Sequence, residues 1–95
     1  MNLFFEWDED KALLNFHKHS IKFEEAMASF EDEKSVTLDD LKHSTEEKRY
    51  FLIRVCRDKK LLAVVHTIRK DRIRIISARI ANRKERKIYE KDKKI

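Results

Sequence analysis

Neither glycine nor proline occurs among the 95 residues of this chain, and cysteine occurs once. Every turn must therefore be made by Asn, Asp, Ser or Lys, and any such residue driven to positive φ costs on the order of 1–2 kcal/mol. The lone Cys56 excludes an internal disulfide, and its place in an apolar strand pattern makes a buried, inert thiol the default. Long apolar runs are missing too. The longest, Leu61–Val65, falls far short of the roughly 20 residues a bilayer requires. Nothing resembles a signal peptide, so a cytosolic protein without a membrane partner is expected. With no cysteine cluster and no histidines spaced as ligands, neither a metal nor another cofactor is expected.

Charge is plentiful instead. Asp, Glu, Lys and Arg make up 43% of the chain against 41% hydrophobic residues, which leaves a small core for one domain spanning residues 1–95. A core of that size leans on a partner or a dimer. The net charge of +5 conceals a polarity along the chain. Residues 1–48 hold 6 Lys/Arg and 13 Asp/Glu, a balance of −7; residues 49–95 hold 17 and 5, a balance of +12. One part of the fold can then project a positive field toward a polyanion, whereas the competing account is a salt-bridged, solvated surface. Arginines placed inside strands favour the polyanion.

The stretch from Leu61 to Ile80 organises the rest. Two β-branched, aliphatic runs, Leu61–Ile68 and Arg72–Ile80, flank Arg69-Lys70-Asp71 and predict an antiparallel hairpin. A two-residue loop at Lys70-Asp71 sets Ile75 opposite His66, and a three-residue loop sets Arg74 there. Before the hairpin, Asn2–Trp7 reads as a strand. Asp8 then caps a helix carrying an apolar face of Ala12, Leu13, Leu14 and Phe16, which ends near His17–Ser20. Phe23, Ala26, Met27 and Phe30 follow the i, i+3, i+4, i+7 spacing of a core-facing helix. Ser35–Leu38 predicts a short strand, residues 39–47 an acidic loop that contains His43, and Arg49–Arg57 a strand. Asn82 and Glu85 form an N-x-x-E capping box, so a helix begins at Arg83, anchored by Ile88 and Tyr89. The expected fold is α+β: an antiparallel sheet with two N-terminal helices and one C-terminal helix, in the order β-α-α-β-β-β-β-α.

These residues carry a resemblance. Phe5-Glu6-Trp7-Asp8, Asn15, Lys18-His19, Phe23-Glu24-Glu25-Ala26, Arg49-Tyr50 and Val65-His66-Thr67 are similar to the BrnT toxin family. So are Arg72 to Arg79, the most specific part, and Arg83, Glu85, Arg86 and Tyr89 beyond it. The resemblance spans essentially the whole chain. It implies a RelE-like fold and a ribonuclease toxin of a type II toxin–antitoxin pair. It also implies neutralisation by a BrnA-like antitoxin, contact with operator DNA only through that antitoxin, and a dimer or toxin–antitoxin heterotetramer. Ser20 and Lys70 depart from the family pattern, standing where glycine is common.

The chemistry implied sets its own demands. A metal-free ribonuclease lets the ribose 2′-OH attack the adjacent phosphorus, so it needs a proton acceptor, cations for the developing phosphorane charge, and a donor for the leaving 5′ oxygen. Arginine suits the second task because its planar fork pairs two phosphate oxygens. Arg74 and Arg79 come first, with Arg49 and Arg72 behind them. His66, His19 and Glu85 are the candidates for proton transfer. Lys18, Arg83 and Tyr89 extend the expected contact with RNA, Tyr89 as a donor or a platform for a base. Each has a competing role: His66 as a core histidine on the Leu62, Val64, Ile68 face, Lys18 and His19 against a helix dipole, Glu85 as a cap, Tyr89 as a core anchor, and Arg79 in an ion pair. A non-catalytic module that binds RNA, the ribosome or DNA through the same basic surface is the competing function, and RNA cleavage separates the two.

Overall fold

The computed structural model describes residues 4–28, 30, 36–39, 49–55 and 60–93. The expectations for Asn2, Leu3, His43, Cys56 and the acidic loop fall outside the described residues. The elements run β1 (Phe4–Glu6), α1 (Glu9–His19), α2 (Phe23–Ala28), β2 (Val36–Asp39), β3 (Arg49–Val55), β4 (Leu61–Arg69), β5 (Arg72–Ile80) and α3 (Arg83–Lys93). One five-stranded sheet holds them in the order β1-β5-β4-β3-β2.

The sheet is mixed, which corrects the antiparallel expectation. β2 to β5 pair antiparallel with their sequence neighbours, but β1 runs parallel to β5, with Phe4, Phe5 and Glu6 beside Arg72, Ile73 and Arg74. Short connections dictate antiparallel pairing only between consecutive strands. β1 meets β5 only after residues 7–71 have intervened, so no short connection constrains its direction.

β4 lies at the centre, and Leu61 to Thr67 are buried on both faces. Leu62 and Val64 join Ile75 and Ala78 of β5 against Ile21, Phe23 and Ala26, with Trp7 edge-on to Phe23 at 5.8 Å. On the opposite face Leu61 and Ala63 pack with Ala81 and Tyr89, so α3 covers that end of the sheet. The hairpin loop is the two-residue one: Arg69 pairs with Arg72, and Lys70 takes φ 56°. Val65 pairs with Ser77 while His66 pairs with Ile75, which leaves Ile76 as a β-bulge.

α1 departs most from its apolar pattern. Its N-cap is as expected, with the Lys11 amide donating to Asp8 Oδ1 at 3.1 Å, and its C-cap Ser20 sits at φ 59°. Yet Leu13 and Leu14 are 60% and 67% exposed, Phe16 is exposed as well, and the buried residue is Asn15. The cause lies in the sheet. β1 stops beside Arg74 and leaves the edge of β5 open beyond it. The Asn15 carboxamide closes that edge, donating to Ala78 O at 2.8 Å and accepting from Ala78 N at 3.1 Å, with a further donation to Ile21 O at 3.0 Å. Satisfying buried backbone groups turns a polar stripe inward. In α2, Phe23 and Ala26 are core as expected, whereas Met27 is exposed.

Candidate active site

Register places the arginines. Glu6, Arg74, Thr67 and Arg49 stand side by side across β1, β5, β4 and β3, and directly paired residues share a face. Arg74 Nη1 donates to Glu6 Oε2 at 3.0 Å, which fixes its direction. At this end of the sheet lies a hollow of about 100 Å³ lined by Asp8, Lys11, Arg49, Arg69 and Arg74, together with Ile75 and Ile76 at the bulge. One water needs roughly 10–15 Å³ of such space, so the hollow holds several waters, or one phosphate group in their place.

Four cationic side chains and one carboxylate thus converge from a helix and three strands. Arg49 and Arg74 were expected there; Lys11 and Arg69 were not. Lys11 is exposed and lies four residues before the buried Asn15, on the same side of α1, and the spacing continues to His19. A polar i, i+4, i+8 series was the available signal, hidden beneath the apolar periodicity. Arg69 belongs to the charged tripeptide between the two apolar runs, and the two-residue loop makes it the last residue of β4.

The imidazole is elsewhere. His66 pairs with Ile75 and faces away from Arg74, which shares its face with Thr67. It is 4% exposed, edge-on to Phe30 at 4.8 Å and stacked on Tyr50 at 5.6 Å. Burial pushes its pKa below the usual histidine value, and a contact of Nδ1 with Val64 O at 3.4 Å opposes the shift. It is a core histidine by its surroundings, and the expected convergence of imidazole and guanidinium does not form at this residue.

Arg79 and His19 meet at the far end of β5. Arg79 lies on the Arg74 face because the extra residue at Ile76 reverses the parity of β5, which would otherwise separate residues five apart to opposite sides. About 16 Å of strand separates the two, too far for one phosphate to touch both. Arg79 binds Glu85 in bidentate fashion, Nη1 to Oε1 at 2.7 Å and Nη2 to Oε2 at 2.8 Å. Glu85 also accepts from the Asn82 amide at 2.9 Å, while its own amide donates to Asn82 Oδ1 at 2.9 Å, completing the capping box. The Arg79 hydrogen bonds hold the Glu85 carboxyl below its ordinary range, and the same bonds raise the Arg79 pKa. His19 is pushed down by burial, and further by Lys18 and Arg79. Lys18, Arg72 and Arg83 are exposed and do not line the hollow; Tyr89 is buried as the anchor of α3.

Among the described residues, no group of three or more His, Cys, Asp or Glu side chains is placed to hold a metal ion, and no helix is long and apolar enough to cross a membrane.

The family model for BrnT, the ribonuclease toxin of type II toxin–antitoxin systems, matches residues 7–85. The chain belongs to the BrnT family. The Brucella abortus ribonuclease toxin BrnT, solved by crystallography, shares the fold at a TM-score of 0.66 and 20% identity, over 86% of this chain and all of that one. No curated protein matches the sequence. A BrnT-family toxin has an antitoxin as its partner, and the α+β architecture here, a mixed sheet with three described helices, is that of the Brucella protein.

Proposed function

We propose that this chain is a metal-independent endoribonuclease that inhibits translation and growth by cutting RNA, and that the hollow between α1 and the β3–β5 row holds the scissile phosphate. The observation that carries this is the convergence of Lys11, Arg49, Arg69 and Arg74 on one small concavity. Cations preorganised around a phosphodiester stabilise the charge that grows on its oxygens during 2′-OH attack, and their benefit rises where water is displaced. Membership of a ribonuclease-toxin family supports the same reaction. The partner we propose is a BrnA-like antitoxin that binds the operator itself and sets an acidic segment over this basic face.

Purified, folded protein freed of antitoxin should cut single-stranded RNA in the presence of EDTA and leave a 2′,3′-cyclic phosphate. Intact RNA under those conditions overturns the proposal and favours a non-catalytic binding module. Arg74→Ala and Arg49→Ala should each lower cleavage at least tenfold while circular dichroism stays native. Cleavage at the wild-type rate in both would place the phosphate elsewhere.

A further inference from the structure

Resting on that reading, we infer that Asp8 is the carboxylate that accepts the 2′-OH proton. The reaction needs such a group beside the phosphate, and the geometry excludes the other candidates. His66 faces the opposite side of the sheet. His19 and Glu85 stand with Arg79 at the far end of β5, and both Glu85 oxygens are held by that arginine. Glu6 pairs with Arg74 at 3.0 Å and does not line the hollow. Asp8 is the one carboxylate among the side chains that line the hollow.

The local structure orients it. Asp8 is the N-cap of α1, and its Oδ1 accepts the Lys11 amide at 3.1 Å. Oδ2 accepts no hydrogen bond from any of the described residues, so one oxygen is pinned and the other is available to a substrate hydroxyl. In the step itself, Oδ2 takes the proton of the 2′-OH as the 2′ oxygen bonds to phosphorus. The bond from phosphorus to the 5′ oxygen breaks, and that oxygen takes a proton from water. Lys11, Arg49 and Arg74 stabilise the charge of the phosphorane between these events. The products are a 2′,3′-cyclic phosphate and a free 5′-OH, and the Asp8 proton returns to solvent.

A cap and a base can be told apart, because Asn caps a helix as well as Asp but cannot take the proton. Asp8→Asn should keep the wild-type melting temperature and bind a 2′-O-methyl RNA at least as tightly, since a negative charge has left the hollow. Its single-turnover cleavage rate should fall by roughly 10²- to 10⁴-fold, and the acid limb of its pH profile should disappear. Asp8→Ser, which also caps, should behave alike. An Asp8→Asn protein that cuts at the wild-type rate with an unchanged pH profile overturns this assignment and leaves the phosphate site standing. So does a loss confined to RNA affinity. A wild-type protein that fails to cut RNA overturns the phosphate site itself.

Discussion

His66 shows how one side chain can be decided by its neighbours. Its imidazole titrates near 6.5 in the unfolded chain, and burial lowers that value in the fold. Between the two values the unfolded state binds more protons, so stability rises with pH there and is lost as pH falls below about 6.5. Urea unfolding followed between pH 7.5 and 5 should show this decline, and His66→Phe should flatten it. Glu85 acts in a lower window: its depressed pKa contributes stability above the unfolded value of about 4.5, lost as pH drops through the folded value. Two other residues carry backbone strain. Ser20 at φ 59° and Lys70 at φ 56° occupy the left-handed region that glycine enters freely. Ser20→Gly and Lys70→Gly should each raise the unfolding free energy by about 1 kcal/mol, additively because they sit in separate turns.

Among the elements, α1 does the most. It carries the proposed base at its N-cap and lines the hollow with Lys11. It also closes the β5 edge through Asn15. Asn15→Ala removes three hydrogen bonds at about 1 kcal/mol each and should destabilise by about 3 kcal/mol in denaturant titrations. Asn15→Asp keeps the acceptor for the Ala78 amide but sets a carboxylate against two carbonyl oxygens, and should fare no better. At the other end, Arg79 ties β5 to α3. Arg79→Ala should cost about 2 kcal/mol of stability, so any loss of toxicity in that variant is to be compared with its melting temperature before a role at the phosphate is assigned.

Across the whole molecule the charge asymmetry becomes a local arrangement. The +12 half supplies Arg49, Arg69 and Arg74 to the hollow, the −7 half supplies Asp8 and Lys11, and Glu6 of the same half pairs with Arg74. RNA binding should weaken with salt, with a slope of about 0.7 per phosphate contacted, and Lys11→Ala or Arg69→Ala should each reduce that slope. A slope indifferent to both would place the RNA on another surface.

Much of this was legible in the residues. Caps at Asp8 and Asn82, the helix from Arg83 and the hairpin around Lys70-Asp71 all rest on interactions within a few positions of each other, so local chemistry suffices to specify them. What it could not specify was direction across the sheet. A bulge at Ile76 brings Arg74 and Arg79 to one face, an open edge on β5 turns Asn15 inward and Leu13 outward, and β1 arrives parallel instead of antiparallel. The last two depend on partners more than sixty positions away, and the first on the neighbouring strand, since a strand's side-chain parity changes with a single inserted residue. The sequence by itself determined the elements and the basic character of the second half. Only the packed sheet decided which cations meet, and that a carboxylate rather than an imidazole stands among them.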